Sequence, residues 1–452
     1  MNNHPYIPNT DQDINQMLSK IGVESFEKLI PDLPENLLFP DLNIGDGLSE
    51  LELYNHLKKI SKENFDLQDY SSFLGAGSYK HYIPATVKSI IQRGDFSTAY
   101  TPYQPEAAQG TLQSGFEFQS LVSHLMSMEV TNAGMYDGPT AFAEACLMSC
   151  RITKKNKIGL VNFFNPVIVE VLKSYIAYKE IEIIEINELT EKIPEDLACL
   201  CIQYPNFFGS IPNLEEFVNI SKSSNCLSIV HTNPMSLGIL KSPGEYGIDI
   251  VTAEGQPLGI PISYGGPYIG LFSCNQKHIR QMPGRIIGQT TDIDGKVAYT
   301  LTLQTREQHI RRERATSNIC TSTQLIGLMV TIYLATLGPN GIKDVSNLCY
   351  QKSHYLANSL RNIKGVKIEN KTEFFNEFVF TTPLKPSFLN EKLLQKKIVG
   401  GLDISNIINN GILICCTEIN TKKEIDNLVS SIQEILNAVS YTHLTLPTIL
   451  LV

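Results

Sequence analysis

Residues 197–254, LACLCIQYPNFFGSIPNLEEFVNISKSSNCLSIVHTNPMSLGILKSPGEYGIDIVTAE, carry the pattern that decides the fold. Three short apolar runs, 197–203, 227–231 and 249–253, read as strands. Between the first two, 214–222 places apolar residues at helical spacing. Strand, helix and strand in this order form a crossover unit, which joins parallel strands within one sheet.

Working outward, the same alternation continues on both sides. Residues 158–161, 181–186 and 268–273 are further strand candidates, and 166–178 forms a covering helix with Val167, Val171, Leu172 and Tyr175 on its apolar side. After the basic segment 306–314, a long apolar helix over 322–337 ends at Gly338-Pro339. The chain then becomes a smaller α+β unit with strands at 366–369, 377–381 and 412–417. Thr421 and Glu424, in capping-box spacing, start a last helix that lines up Ile425, Leu428, Ile432, Ile435 and Leu436.

The first seventy residues form an arm of short helices at 11–21 and 49–61, joined by the turn-prone stretch 31–47. The expected organisation is therefore an arm (1–70), a large α/β domain (71–320), a C-terminal α+β domain with its connecting helix (321–440), and a tail (441–452). That tail has no Asp, Glu, Lys or Arg, breaks the helical pattern, and is read as foreign to the fold.

With 452 residues, 42% of them hydrophobic and 18% charged, the chain can bury a sizeable core. A net charge of −9 argues against nucleic acid, which needs a basic surface. No apolar run suggests a membrane span, and the polar start predicts a cytosolic protein. Cys199, Cys201, Cys226, Cys274, Cys415 and Cys416 lie in apolar strand-like runs, so reduced thiols are expected. No zinc-ligand spacing emerges, and Cys146 with Cys150 on one helix reads as packing. Gly75 and Gly77 in SSFLGAGSYKHYIP lack the third glycine of a nucleotide loop and read as a turn.

The stretch from Tyr100, YTPYQPEAAQGTLQSGFEFQSLVSHLMSMEVTNAGMYDGPTAFAEACLMS, resembles the P-protein of the glycine cleavage system, in particular the first of the two subunits into which many bacteria and archaea divide it. YIPNTDQDINQMLSKIGV from Tyr6, DIVTAEGQPLGIPISYGGPYIG from Asp249 and TREQHIRRERATSNICTSTQL from Thr305 agree with it. The resemblance implies the fold type I architecture of pyridoxal phosphate (PLP)-dependent aminotransferases. It also implies decarboxylation of glycine with release of carbon dioxide, and transfer of the aminomethyl group to the lipoyl arm of H-protein.

PLP chemistry in this fold needs a lysine for the cofactor aldehyde, an acid for the pyridine nitrogen and a helix N-terminus for the phosphate. Where lysine-bearing family members place that lysine, this chain has Glu254-Gly255-Gln256-Pro257, and no lysine lies between Lys241 and Lys277. Where the acid is expected, IVHTNPMSLG supplies His231 and Asn233. A degenerate phosphate cup remains at Gly138 and Thr140, or these are only turn and capping residues.

Family knowledge then implies a lysine-bearing second subunit that binds PLP covalently, an α2β2 assembly, and no catalytic residue in this chain alone. The candidates for lining the substrate channel or the subunit interface are Tyr103, Gln104, Glu106, Gln109, His309, Arg311, Arg312, Thr316 and Asn318. The mixed charges of 306–314 equally suit a solvated or interfacial salt-bridge network. His231 and His124 equally suit hydrogen-bonded core positions. Two other readings stay open: catalysis by the chain alone through Lys241 or Lys277, and a non-catalytic scaffold or regulatory binding protein.

Overall fold

The computed structural model describes residues 6, 8–38, 40, 43–97, 99–187, 189, 193–319 and 323–444, without the side chains after 438. Residues 441–444, expected to break the helical pattern, continue the last helix to Leu444, while residues 445–452 lie outside the described residues, as does Ser322 at the expected start of the long helix. The chain forms two compact units, 1–66 and 67–452. In the first, helices Asp11–Ile21 and Glu50–Ser61 both begin with capping boxes, Thr10 with Asp13 and Ser49 with Glu52.

The second unit is built on a seven-stranded sheet. In chain order its strands are β1 (Val130–Thr131), β2 (Lys157–Val161), β3 (Glu182–Ile186), β4 (Leu197–Tyr204), β5 (Leu227–Thr232), β6 (Ile250–Glu254) and β7 (Gly270–Cys274). Their spatial order is β1-β7-β6-β5-β4-β2-β3. The five from β6 to β3 run parallel, while β7 and β1 pair antiparallel at one edge.

Alternate residues of β4 show that both faces are covered. Leu200 and Ile202 enter one core, with Phe118, Val122 and Tyr333, while Cys199 and Cys201 enter the other, with Phe142, Met148 and Ile168. A strand buried on both faces has no polar side, which is why it reads as a continuous apolar run. Nine cysteines among the described residues are free thiols.

The long helix runs Gln324–Arg361, past the expected stop, with its one break at Gly338 (φ 60°, ψ −177°). Pro339 follows that break at the start of a second helical stretch. There its missing N–H costs nothing, so Gly-Pro kinks the helix without ending it. The helix is long and apolar enough to cross a membrane, yet half of its most apolar window is buried inside the chain.

An antiparallel hairpin, Ile286–Thr291 with Val297–Thr302, was not anticipated; its Asp294-Gly295 turn, with Gly295 at φ +78°, was the available signal. The C-terminal sheet places Glu377–Thr381 between Lys367–Ile368 and Gly411–Cys415, with Leu402–Asp403 at the edge. The helix capped by Thr421 and Glu424 packs Ile425, Leu428 and Ile432 beneath it.

Gly209, at φ +81°, joins the two sheets: its carbonyl accepts from the Phe375 N–H at 3.1 Å, and a Cβ there would land on the Glu377 carbonyl. Gly209→Ala is therefore expected to cost about 3 kcal/mol through backbone strain and overpacking. Urea unfolding should show it as a lowered midpoint.

Candidate functional site

A cavity of about 350 Å³ opens at the carboxyl ends of β2, β4, β5 and β6, the place where open α/β sheets bind ligands. Gln203, His231 and Thr232 reach it from strand ends, Asn165 and Asn233 from the turns that follow, and Glu254 from the end of β6. The segment 76–79 closes one wall.

Hydrogen bonds fix that wall closely. Asn165 donates Nδ2–H to the Ala76 carbonyl at 2.9 Å, and the Gln256 side chain exchanges two bonds with the Tyr79 backbone, at 2.8 and 2.9 Å. The Ser78 hydroxyl bonds Tyr268 Oη at 3.0 Å. The Gly75 and Gly77 stretch, expected to be a turn only, therefore contributes Ala76, Gly77, Ser78 and Tyr79 to the site. Its partners lie far off in sequence, and nothing local announced them.

Glu254 is half-buried beside the start of helix Gly138–Thr153. Its Oε2 accepts the Gly138 N–H at 2.8 Å, and its Oε1 accepts the Gln256 N–H at 3.0 Å. Burial pushes its carboxyl up to about 8 against those two donors. His231 is buried with Nδ1 3.0 Å from Thr252 Oγ1 and its ring edge on Phe142, and burial pulls it down to about 4. Near neutrality it is an uncharged ring.

No lysine or arginine lines this cavity among the described residues. Lys241 lies over the Tyr246 ring, and Lys277 pairs with Asp249 at 3.0 Å. The N–H groups of Gly138 and Thr140 are both taken, the latter by Asp137 Oδ1 at 2.7 Å. A phosphate-bearing aldehyde cofactor does not fit here, because the lining offers no amine to bind its aldehyde and the helix start no free donor for its phosphate.

The other sequence candidates gather away from this cavity. Tyr103 and His309, both exposed, lie with ring centroids 5.4 Å apart. Buried Arg285 donates to the Tyr103 hydroxyl at 3.1 Å and pairs with Glu307 at 3.4 Å, while His309 Nδ1 lies 3.6 Å from the same carboxylate. Arg285 does not stand out without the fold, whereas Glu307 is one of the mixed charges of 306–314 expected to form salt bridges, and it does so with Arg285 and His309.

Gln109 clamps the hairpin through the Tyr299 carbonyl and N–H, at 2.8 and 2.9 Å. Gln104 and Glu106 are exposed beside it. Arg306 is buried and donates to the Met282, Gly284 and Leu303 carbonyls, so it anchors the loop, with the neighbouring Glu307 charge favouring its own. Arg311 donates to the Thr305 carbonyl and Thr316 N–H to the Arg306 carbonyl, each at 3.0 Å, with Arg311, Arg312 and Asn318 exposed. His124 lies on the helix Gln109–Met126, away from both groups.

Comparison with known proteins gives a consistent answer. Residues 4–432 match the family described as glycine cleavage system P-protein. A protein of Desulfitobacterium hafniense named "probable glycine dehydrogenase (decarboxylating) subunit 1" is 45% identical over 443 residues, covering 95% of this chain and 99% of its own. A crystal structure of an inhibitor-bound glycine decarboxylase (P-protein) aligns with TM-score 0.90 at 34% identity, over 95% of this chain and 100% of its own. A C-DES protein with glycine covalently linked to its PLP cofactor shares the fold, with TM-score 0.58 at 15% identity over 81% and 97% of the two chains.

The raised Glu254 carboxyl has a measurable consequence. Between about pH 4.5 and 8 the folded chain holds a proton there that the unfolded chain releases. The stability contribution is thus complete below about pH 4.5 and lost as pH rises through about 8. Glu254→Gln should flatten that part of the stability-pH profile by on the order of a few kcal/mol in denaturant titrations. An unchanged slope would show that Glu254 titrates normally.

Proposed function

The chain belongs to the glycine cleavage system P-protein family, and from that premise we propose that it is the lysine-free subunit of a two-chain glycine decarboxylase. Its similarity to relatives named as subunit 1, and to a solved glycine decarboxylase, supports a role in that enzyme. The observation that carries the finer reading is the cavity at the strand ends: it stands where this fold holds its cofactor, yet among the described residues it has no amine and no open phosphate cradle.

On this reading a second, lysine-bearing subunit binds PLP covalently. The cofactor's pyridine ring supplies the electron sink for glycine decarboxylation. Two copies of each chain assemble as α2β2, and the aminomethyl group passes to the lipoyl arm of H-protein. Free buried thiols suit a reducing cytoplasm. The domain borders near residues 70, 320 and 440 belong to the same reading, with 1–70 an arm and 441–452 outside the functional chain.

The contribution of this chain is a prepared surface. The Arg285–Glu307 pair is desolvated and holds Tyr103 and His309 from below. A second Glu307 oxygen has no hydrogen-bond partner among the described residues. Tyr103, Gln104, Glu106, His309, Arg311, Arg312, Thr316 and Asn318 then orient glycine or the lipoyl arm at the subunit boundary and exclude water, with Gln109 holding the hairpin behind them. Gly138 and Thr140 are remnants of the fold's phosphate cup.

Exchange of labelled bicarbonate with the glycine carboxyl, measured with H-protein present, tests the proposal. It should occur when this chain and the lysine-bearing subunit are mixed and be absent from either alone. Exchange by the partner alone equal to that of the mixture would refute it. His309→Ala and Tyr103→Phe should each lower exchange by about tenfold or more without releasing the subunit from the complex.

A further inference from the structure

The start of helix Gly138–Thr153 faces the cavity as an anion position, and the chain itself occupies it. Four backbone positions decide this. The Gly138 N–H goes to Glu254 Oε2 at 2.8 Å, Pro139 has no N–H, the Thr140 N–H goes to Asp137 Oδ1 at 2.7 Å, and the Ala141 N–H goes to the Asp137 carbonyl at 3.0 Å. A sixteen-residue helix projects a positive end toward whatever lies here, and both groups that answer it are side-chain carboxyls of this chain.

The helix start is also packed directly on the strand end. A Cβ added at Gly138 would lie 2.8 Å from the backbone N and Cα of Glu254 and 2.8 Å from its Cβ. The helix start and the end of β6 are thus already in contact. Glu254 is pinned from the other side by the Gln256 N–H, and Gln256 is itself held by Tyr79 and Ile260. The carboxyl cannot swing out without undoing that set of bonds.

We propose that Glu254 is a built-in substitute for a bound phosphate, and that it is the residue which keeps this subunit's cavity closed to phosphorylated cofactors. The missing lysine prevents covalent attachment, whereas Glu254 prevents non-covalent binding. The two functions sit on one strand end but are separable. The substitution acts by occupying the donors, so it holds whether the carboxyl carries a proton or not. It rests on the geometry of this chain alone, and would stand even if decarboxylation were carried out in some other assembly than the one proposed above.

The prediction is a gain of binding. Purified full-length chain is titrated with inorganic phosphate, followed by phosphorus NMR line broadening, and with pyridoxal 5′-phosphate, followed by equilibrium dialysis. Wild type and Glu254→Gln, which keeps the volume and an acceptor oxygen, should show no saturable binding of either probe. Glu254→Ala should bind both at least about tenfold more tightly than wild type.

Glu254→Ser opens the same space and carries the same readout where Glu254→Ala does not fold, with circular dichroism and thermal melting as the control. Saturable binding by wild type as tight as by Glu254→Ala would overturn the proposal. So would a folded Glu254→Ala or Glu254→Ser that binds no better than wild type, or a Glu254→Gln that binds as well as they do. None of these outcomes depends on glycine exchange activity, so failure here and failure of the functional reading are distinguishable.

Discussion

One buried carboxyl joins the parts of the larger unit. Glu377, on a central strand of the C-terminal sheet, accepts from the Ala76 N–H at 2.6 Å and from the Tyr79 hydroxyl at 2.7 Å. Its own carbonyl lies so close to Gly209 that only glycine fits beside it. Burial pushes the carboxyl up to about 7 in spite of both donors. Because an unsatisfied carboxyl at this depth would cost several times a normal hydrogen bond, segment 76–79 has little freedom to leave. That segment is a wall of the cavity, so the C-terminal sheet shapes the site without lining it.

The sheet was legible because its strands are buried on both faces. Leu200 and Ile202 look one way and Cys199 and Cys201 the other, so 197–202 is apolar throughout and cannot be mistaken for a half-exposed strand. The final helix was legible from Thr421 and Glu424. What stayed hidden depends on contacts distant in sequence. Nothing near SSFLGAGSYKHYIP says that Ala76 and Tyr79 meet a glutamate about three hundred residues later, and nothing in TAEGQ says that Glu254 caps a helix beginning at Gly138. The continuation beyond Gly338 was hidden for another reason: Gly-Pro marks a stop or a kink equally well, and only packing of the second stretch, through Ile342, Ser346 and Cys349, decides between them.

The residues singled out around 103–109 and 305–318 share a different logic. Their exposed members are held by buried ones. Arg306 spends its guanidinium on carbonyls of the 282–284 turn and on Leu303, fixing the root of the segment, and Arg285 with Glu307 fixes the rings of Tyr103 and His309. Exposed aromatic and cationic groups on a free surface normally lose their order to side-chain entropy. Here the ordering is already done by the core, which lowers the entropic cost for whatever docks against them.

The absence of lysine and the presence of Glu254 follow from the same constraint at the end of β6. An amine in this cavity, with no aldehyde to take up its charge, would be a cation beside carboxyls that already face backbone donors, through both oxygens of Glu254 and Oδ1 of Asp137. A carboxyl is stable there because it has two N–H donors and a helix end to face, and can take up a proton when desolvation dominates. The close approach of Gly138 then makes the arrangement self-reinforcing: any side chain at 138 would displace Glu254, and any retreat of Glu254 would leave the helix start without its acceptor. A cavity with this chemistry holds its shape with no cofactor inside.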